Sequence, residues 1–160
     1  EVYGNAKVYG SAEVYGNAKV YSHAEVAGSA KVYDNAKVYG SAEVYGNAKV
    51  HNYAEIYGHA YIYGDAEIHD YAFIFEKANV YGNAKVYGEA CVYGSADVYG
   101  KAKIYDEACI YDKADIYDNA KIHDEAEVYG KADIHGDTEV CGKVKICDNI
   151  NIYGYNVTIS

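Results

Sequence analysis

The groups of this chain that could do chemistry are few in kind: four Cys, six His and 24 acidic residues, with no Arg. Cys91 and Cys109 stand eighteen residues apart in near-identical contexts, EACVYG and EACIYD. If the chain coils once every eighteen residues, the two thiols are one strand spacing apart, within disulfide range. An oxidising compartment would allow a bridge; a reducing one would leave two free thiols. Cys141 and Cys147 lie six apart, and no CxxC spacing marks a zinc site. Asp106 and Glu107 return eighteen residues later as Asp124 and Glu125, with Glu89 one step below. Carboxylates stacked about 5 Å apart repel, and a bridging Ca²⁺ would relieve this, since oxygen ligands suit a hard cation. A solvated acidic edge with Lys nearby is the plainer alternative. His123, Glu139 and Cys141 could offer three ligands to a transition metal, but a fourth is missing.

Aromatic side chains form the other conspicuous set. The segment HNYAEI at 51–56 echoes as HDYAFI at 69–74, again eighteen residues on. It brings His51 with His69 and Tyr53 with Tyr71, next to Tyr61 and the only two Phe, Phe73 and Phe75. The pattern breaks hardest here, so these seven residues are the candidate lateral contact; drift in a tolerant repeat is the alternative.

The elements that must position these groups are set by one repeated unit: aliphatic, Tyr, Gly or Asp, any residue, Ala, polar. Val or Ile occupies position 2 and every sixth residue to Ile152, and Ala fills the fifth slot from Ala6 to Ala132. Within a unit, Ala-Lys-Val-Tyr alternates small-in, polar-out, aliphatic-in, aromatic-out, the period of a short strand. A two-residue corner follows. Its first residue is Gly, Asp, Asn or Ser in every unit but one, Glu76; such residues accept positive φ or bond the local backbone. Short strands and regular corners coil into a solenoid, and the eighteen-residue echoes point to three units per coil. One echo disagrees: VYGSAEVYGNAKV recurs at an offset of thirty, which reads as duplication rather than geometry.

Composition narrows the function classes. The chain lacks Pro, Met, Trp, Leu, Gln and Arg but holds 22 Tyr and 16 Gly, an alphabet of repeats or fibres. Its net charge of −10 argues against nucleic acid. Aliphatics never run together, so no membrane span is expected. The chain starts inside a repeat, at Glu1-Val2, as a processed product or a fragment would.

These residues resemble the hexapeptide-repeat, left-handed parallel β-helix family, over the chain to about Ile152, and most closely the loop-free VYGNA-type arrays of bacteria and phages. The usual unit of that family has a small residue directly after the aliphatic, where this chain has Tyr. The resemblance implies an all-β, left-handed solenoid, three hexapeptides per coil, about nine coils in all. It also implies a possible acyltransferase, in which a His acts as general base beside a loop projecting from the coil. Here His51, His69, His123 and His135 replace Tyr in the repeat, His23 and His59 fall at corners, and no loop interrupts the units. The chain is therefore not expected to be an enzyme. Ice-binding faces resemble Thr ladders, and only Thr138 and Thr158 are present.

The Tyr slot should form three outward ladders, either stiffening the rod or binding another rod, a glycan or a wall polymer. Residues 1–152 are read as the solenoid and 153–160 as a C-terminal cap or joint, because the phase slips after Tyr153 in GYNVTIS. An uncapped start and an altered finish suggest head-to-tail stacking through Glu1, Val2, Val157 and Ile159. The expected protein is thus a self-assembling extracellular or surface rod. The alternative is a glycan-binding adhesin or phage-fibre segment. No cofactor is expected beyond the Ca²⁺ considered above.

Overall fold

The alternation within each unit produces one two-residue strand carrying the outward polar residue and the inward aliphatic, starting with Lys7–Val8 and Glu13–Val14. The computed structural model describes residues 1–159, and these contain strands and corners but no helix. The strands lie in three parallel sheets of nine, nine and eight members among the described residues. The first sheet runs from Lys7–Val8 to Asn151–Tyr153, the second from Glu13–Val14 to Asn156–Ile159, and the third from Lys19–Val20 to Lys145–Ile146. Up to Asn151–Tyr153, each strand pairs with the strand eighteen residues away, as Lys7 with Glu25, Glu13 with Lys31 and Lys19 with Lys37. The protein is therefore a parallel β-solenoid with three hexapeptides per coil. At ~4.8 Å per coil the rod is roughly 40 Å long.

Corners follow the local chemistry read from the sequence. Sixteen Gly and ten other residues take positive φ, all at the first corner position. With Ala18 N–H donating to the Tyr15 carbonyl at 3.4 Å, this is the pattern of a type II′ turn. At Gly88 a Cβ would come within 2.7 Å of the Asp106 backbone nitrogen in the coil above, so glycine is needed there for space as well as for φ. Where Asp replaces Gly, its carboxylate reaches along the rod. Asp124 Oδ2 accepts the Gly142 N–H at 2.9 Å, and Asp118 Oδ2 accepts that of Gly136 at 3.2 Å. These are corner N–H groups of the next coil, so an Asp corner ties two coils together.

The core is a column of Val, Ile and Ala with no exposed surface from Ala18 to Ala126. Each buried Val or Ile contributes ~1.5–3 kcal/mol, most of it offset by ordering the backbone. Near the C-terminal end the Ala slot changes. Thr138 is buried, its hydroxyl donating to the His135 carbonyl at 2.6 Å and accepting from Gly154 N–H at 2.8 Å. Val144 and Ile150 also stand in Ala slots; Val144 is buried, whereas Ile150 is 45% exposed and does not enlarge the core. The phase slip is absorbed by pairing Glu139 with Asn156, seventeen residues on, so that Asn156–Ile159 continues the second sheet. Ser160 and the Ile159 side chain lie outside the described residues. No helix among the described residues is long and apolar enough to cross a membrane.

Candidate functional site

The Tyr slot follows each strand and points outward, so residues eighteen apart stack ring on ring. On the third face Tyr3, Tyr21, Tyr39, Tyr57, Phe75, Tyr93, Tyr111 and Tyr129 form one unbroken column. Ring centroids are 4.8–5.0 Å apart and planes lie within 8°. The second face carries Tyr15, Tyr33, His51, His69, Tyr87, Tyr105 and His123 in the same way, at 4.6–5.1 Å. These are offset-stacked aromatic contacts. Burial, helped by neighbouring phenols and carboxylates, raises Tyr81, Tyr99 and Tyr105 to about 12, so the hydroxyls stay neutral donors.

On the first face the column is interrupted. Ala27 stands in the ring slot, and Tyr9 and Tyr45, two coils apart, lean over it. Their hydroxyls donate to Glu25 Oε2 at 3.2 and 3.0 Å, and Ala27 is left 2% exposed beneath them. Regular stacking resumes from Tyr63 through Tyr81, Tyr99 and Tyr117 to His135.

The candidate lateral residues are distributed around the rod rather than gathered on one face. His51 and His69 stack on the second face, centroids 5.0 Å apart. Tyr53 and Tyr71 stack at the following corner, also at 5.0 Å. Phe73 and Phe75 lie midway along the third face, Phe75 between Tyr57 and Tyr93. Tyr61 is on the first face, paired in register with Glu43 and Asn79 and tilted against Tyr45 and Tyr63. Of the set, Tyr53 and Tyr71 are the most exposed, at 51% and 54%.

The acidic corner also regroups. Asp106 and Asp124 meet His123, with one ligand atom from each inside 4.8 Å of the others. Glu107 and Glu125 do not join them, and Glu125 pairs instead with Lys143 at 3.1 Å. His123 Nε2 faces Glu139 Oε1 at 3.2 Å and its Nδ1 faces Asp124 Oδ1 at 3.4 Å. The geometry therefore offers one nitrogen and two oxygens rather than the four carboxylates read from the sequence. Cys141 contacts Thr158 Oγ1 at 3.1 Å and takes no part.

Cys91 and Cys109 are register partners on adjacent strands of the third face, and both are free thiols. Each thiol donates to a backbone carbonyl, Cys91 Sγ to Glu89 at 3.8 Å and Cys109 Sγ to Glu107 at 3.9 Å, and the neighbouring Cys109 together with burial raises the Cys91 pKa. Cys147 lies in another slot, beside Asp148, and its thiol is free as well.

Two arrangements were not singled out in the sequence. Asn below Asp is a recurrent corner or strand pair: Asn47 to Asp65, Asn52 to Asp70 and Asn79 to Asp97 donate at 3.0, 2.8 and 2.7 Å. Asp97, Asp115 and Asp133 then form a carboxylate column on the first face. Burial, and next the charges of Asp97 and Asp133, raise the Asp115 pKa, while Asp133 Oδ1 is buried without a hydrogen-bond partner. Alignment at an offset of eighteen would have revealed both. No family model, curated protein or solved structure matches the chain.

Proposed function

We propose that the chain is a non-enzymatic structural rod whose copies add end to end into an extracellular or surface filament. The constant register carries this reading. From the Val2–Val20 bridge to the Ile134–Ile152 pair, each coil presents the next with the same eighteen-residue edge. A coil that templates its successor sets no length by itself. An incoming copy would place Val2 beside Ile146 as the next member of the third sheet, a heterologous contact that does not close. The other expected contacts, Glu1, Val157 and Ile159, would meet at that same junction. Tyr ladders would stiffen the rod, and no cofactor enters the reading.

A second reading has one observation in its favour. Tyr53 and Tyr71 present stacked, half-exposed rings midway along the rod, a surface suited to sugar rings and hence to an adhesin or phage-fibre segment. Electron microscopy of the purified chain at several concentrations separates the two. Long uniform fibres with a ~4.8 Å axial repeat support the filament. Discrete short particles that bind a glycan, and lose it on Tyr53→Ala with Tyr71→Ala, would replace it with the adhesin.

A further inference from the structure

The outward strand slot holds Lys, Glu, Asp or Asn on most rungs, but on the third face two successive rungs hold thiols. Phe73, Cys91, Cys109 and Glu127 follow one another up that sheet. The two thiols share one orientation. Each Sγ lies against the carbonyl of the residue two before it, Glu89 at 3.8 Å for Cys91 and Glu107 at 3.9 Å for Cys109. Side chains with one orientation on register-paired strands repeat at the strand spacing, so the sulfurs stand ~4.8 Å apart along the rod. Both are partly exposed. A disulfide needs its sulfurs at about 2 Å, so one side chain would have to turn away from its carbonyl.

Neither flank supplies a third ligand. Phe73 lies below and offers none. Above, Glu127 has both oxygens engaged, Oε1 with Lys145 at 2.9 Å and Oε2 with the Tyr111 hydroxyl at 3.3 Å. Three ligating side chains do gather among the described residues, but elsewhere, at Asp106, His123 and Asp124.

We propose that Cys91 and Cys109 form a two-coordinate site for a soft monovalent d10 cation, of which Cu(I) is the physiological member. Thiolates select such ions over hard cations. A metal–thiolate bond is about 2.3 Å, so a linear sulfur–metal–sulfur unit spans about 4.6 Å. That is within a few tenths of an ångström of the rung spacing, so the ion fits between the sulfurs without moving either strand. Zn²⁺ is disfavoured, because it takes four ligands and only two converge here. On binding, each thiol releases its proton to water. Two thiolates and one cation leave a single negative charge, and no electrons change hands. The ion joins two adjacent coils and stabilises the folded rod over the unfolded chain. Cys141 and Cys147 build no second site of this kind: Cys141 meets Thr158 Oγ1 at 3.1 Å, and Cys147 meets Asp148 Oδ2 at 3.4 Å. The site is independent of end-to-end growth.

Anaerobic titration of the reduced chain with Cu(I), against bathocuproine disulfonate as competing chelator, tests it. The background carries Cys141→Ser and Cys147→Ser, so that only the pair remains. One Cu(I) per chain should be retained, and X-ray absorption should show two sulfur neighbours and no further ligand. Adding Cys91→Ser or Cys109→Ser should weaken retention by more than the ~100-fold that loss of an outer supporting group costs a metal site. Moving one thiol tests the spacing. Glu127 is the register partner of Cys109, and Lys145 lies one rung further on. Cys91→Ser with Glu127→Cys should restore retention, whereas Cys91→Ser with Lys145→Cys should not. Circular dichroism confirms that each variant keeps the wild-type fold. Ag(I), which does not change oxidation state, should raise the melting temperature of the chain with the pair and not that of the single-thiol variants. The proposal is overturned if a single-thiol variant retains Cu(I) as tightly as the pair, or if the Lys145→Cys variant binds as well as the Glu127→Cys variant. A third sulfur neighbour, meaning ligands from two chains, would overturn it too, as would displacement of Cu(I) by equimolar Zn²⁺.

Discussion

The third and first faces are built from the same hexapeptide yet differ in continuity and in charge. The third carries eight stacked rings without a gap, and its Glu55 and Glu127 each hold a Lys: Lys37 at 2.6 Å and Lys145 at 2.9 Å. Tyr39 and Tyr111 add hydroxyl donors to the same carboxylates at 3.1 and 3.3 Å. The first face has a missing ring at Ala27 and a column of three Asp with no Lys in the strand slots beside them. Nevertheless the coil register runs straight through the gap, with Ala27 N–H donating to the Val44 carbonyl at 2.9 Å. The backbone edge and the aliphatic column therefore determine the fold, and the rings are added on the outside.

If that ordering is right, a core truncation should exceed any ladder truncation. Ile74→Ala should cost about 2–5 kcal/mol, because a thin column cannot collapse around the void; urea unfolding measures it. Removing a ring from the continuous column comes next. Tyr39→Ala loses two stacks of ~0.5–1.5 kcal/mol each and the bond to Glu55, and the solenoid should still fold with an unchanged circular dichroism spectrum.

Repairing the broken column is the converse. Ala27→Tyr should insert a ring between Tyr9 and Tyr45 and stabilise the rod by about 1 kcal/mol, the two new stacks offset by the released bonds to Glu25. If thermal melting instead falls, Glu25 with its two Tyr donors is worth more than a ring.

The smallest effect is electrostatic. Burial, with Asp97 and Asp133, raises Asp115 above its ordinary 3.8. A raised folded value means that the protonated form is favoured by folding. Its contribution is fully present below 3.8 and is lost as pH rises through the folded value. Asp115→Asn should therefore raise the melting temperature at neutral pH, with the gain shrinking to nothing under acid conditions. The corresponding Glu55→Gln on the third face should lower it at neutral pH.

Period, coil length and corners were legible in the sequence because each depends on backbone chemistry that repeats identically. Even Glu76, the wrong residue type for a corner, takes φ 58° because its neighbours impose the turn. Side-chain grouping was less legible. Tyr61 and Phe73 are twelve residues apart, not eighteen, and so sit on different faces. Asp106 and Glu107 are neighbours in sequence but occupy the two unlike positions of one corner, and only the first meets His123. The Tyr-to-Glu bonds span sixteen residues, a diagonal that a stacking rule of eighteen does not predict.

The equivalence of the three corners has a consequence for heredity. Loss or gain of three units in the gene would shorten or lengthen the rod by one rung and leave every surface column in line. Loss or gain of a single unit would preserve the fold equally well, yet turn everything downstream by a third of a revolution and splice each face onto a different one. The thirty-residue echo is of that second kind: VYGSAEVYGNAKV at 8–20 and again at 38–50 is the same text displayed on different sides. Such a chain can rewrite its whole exterior by slippage alone, without a single new amino acid in its core.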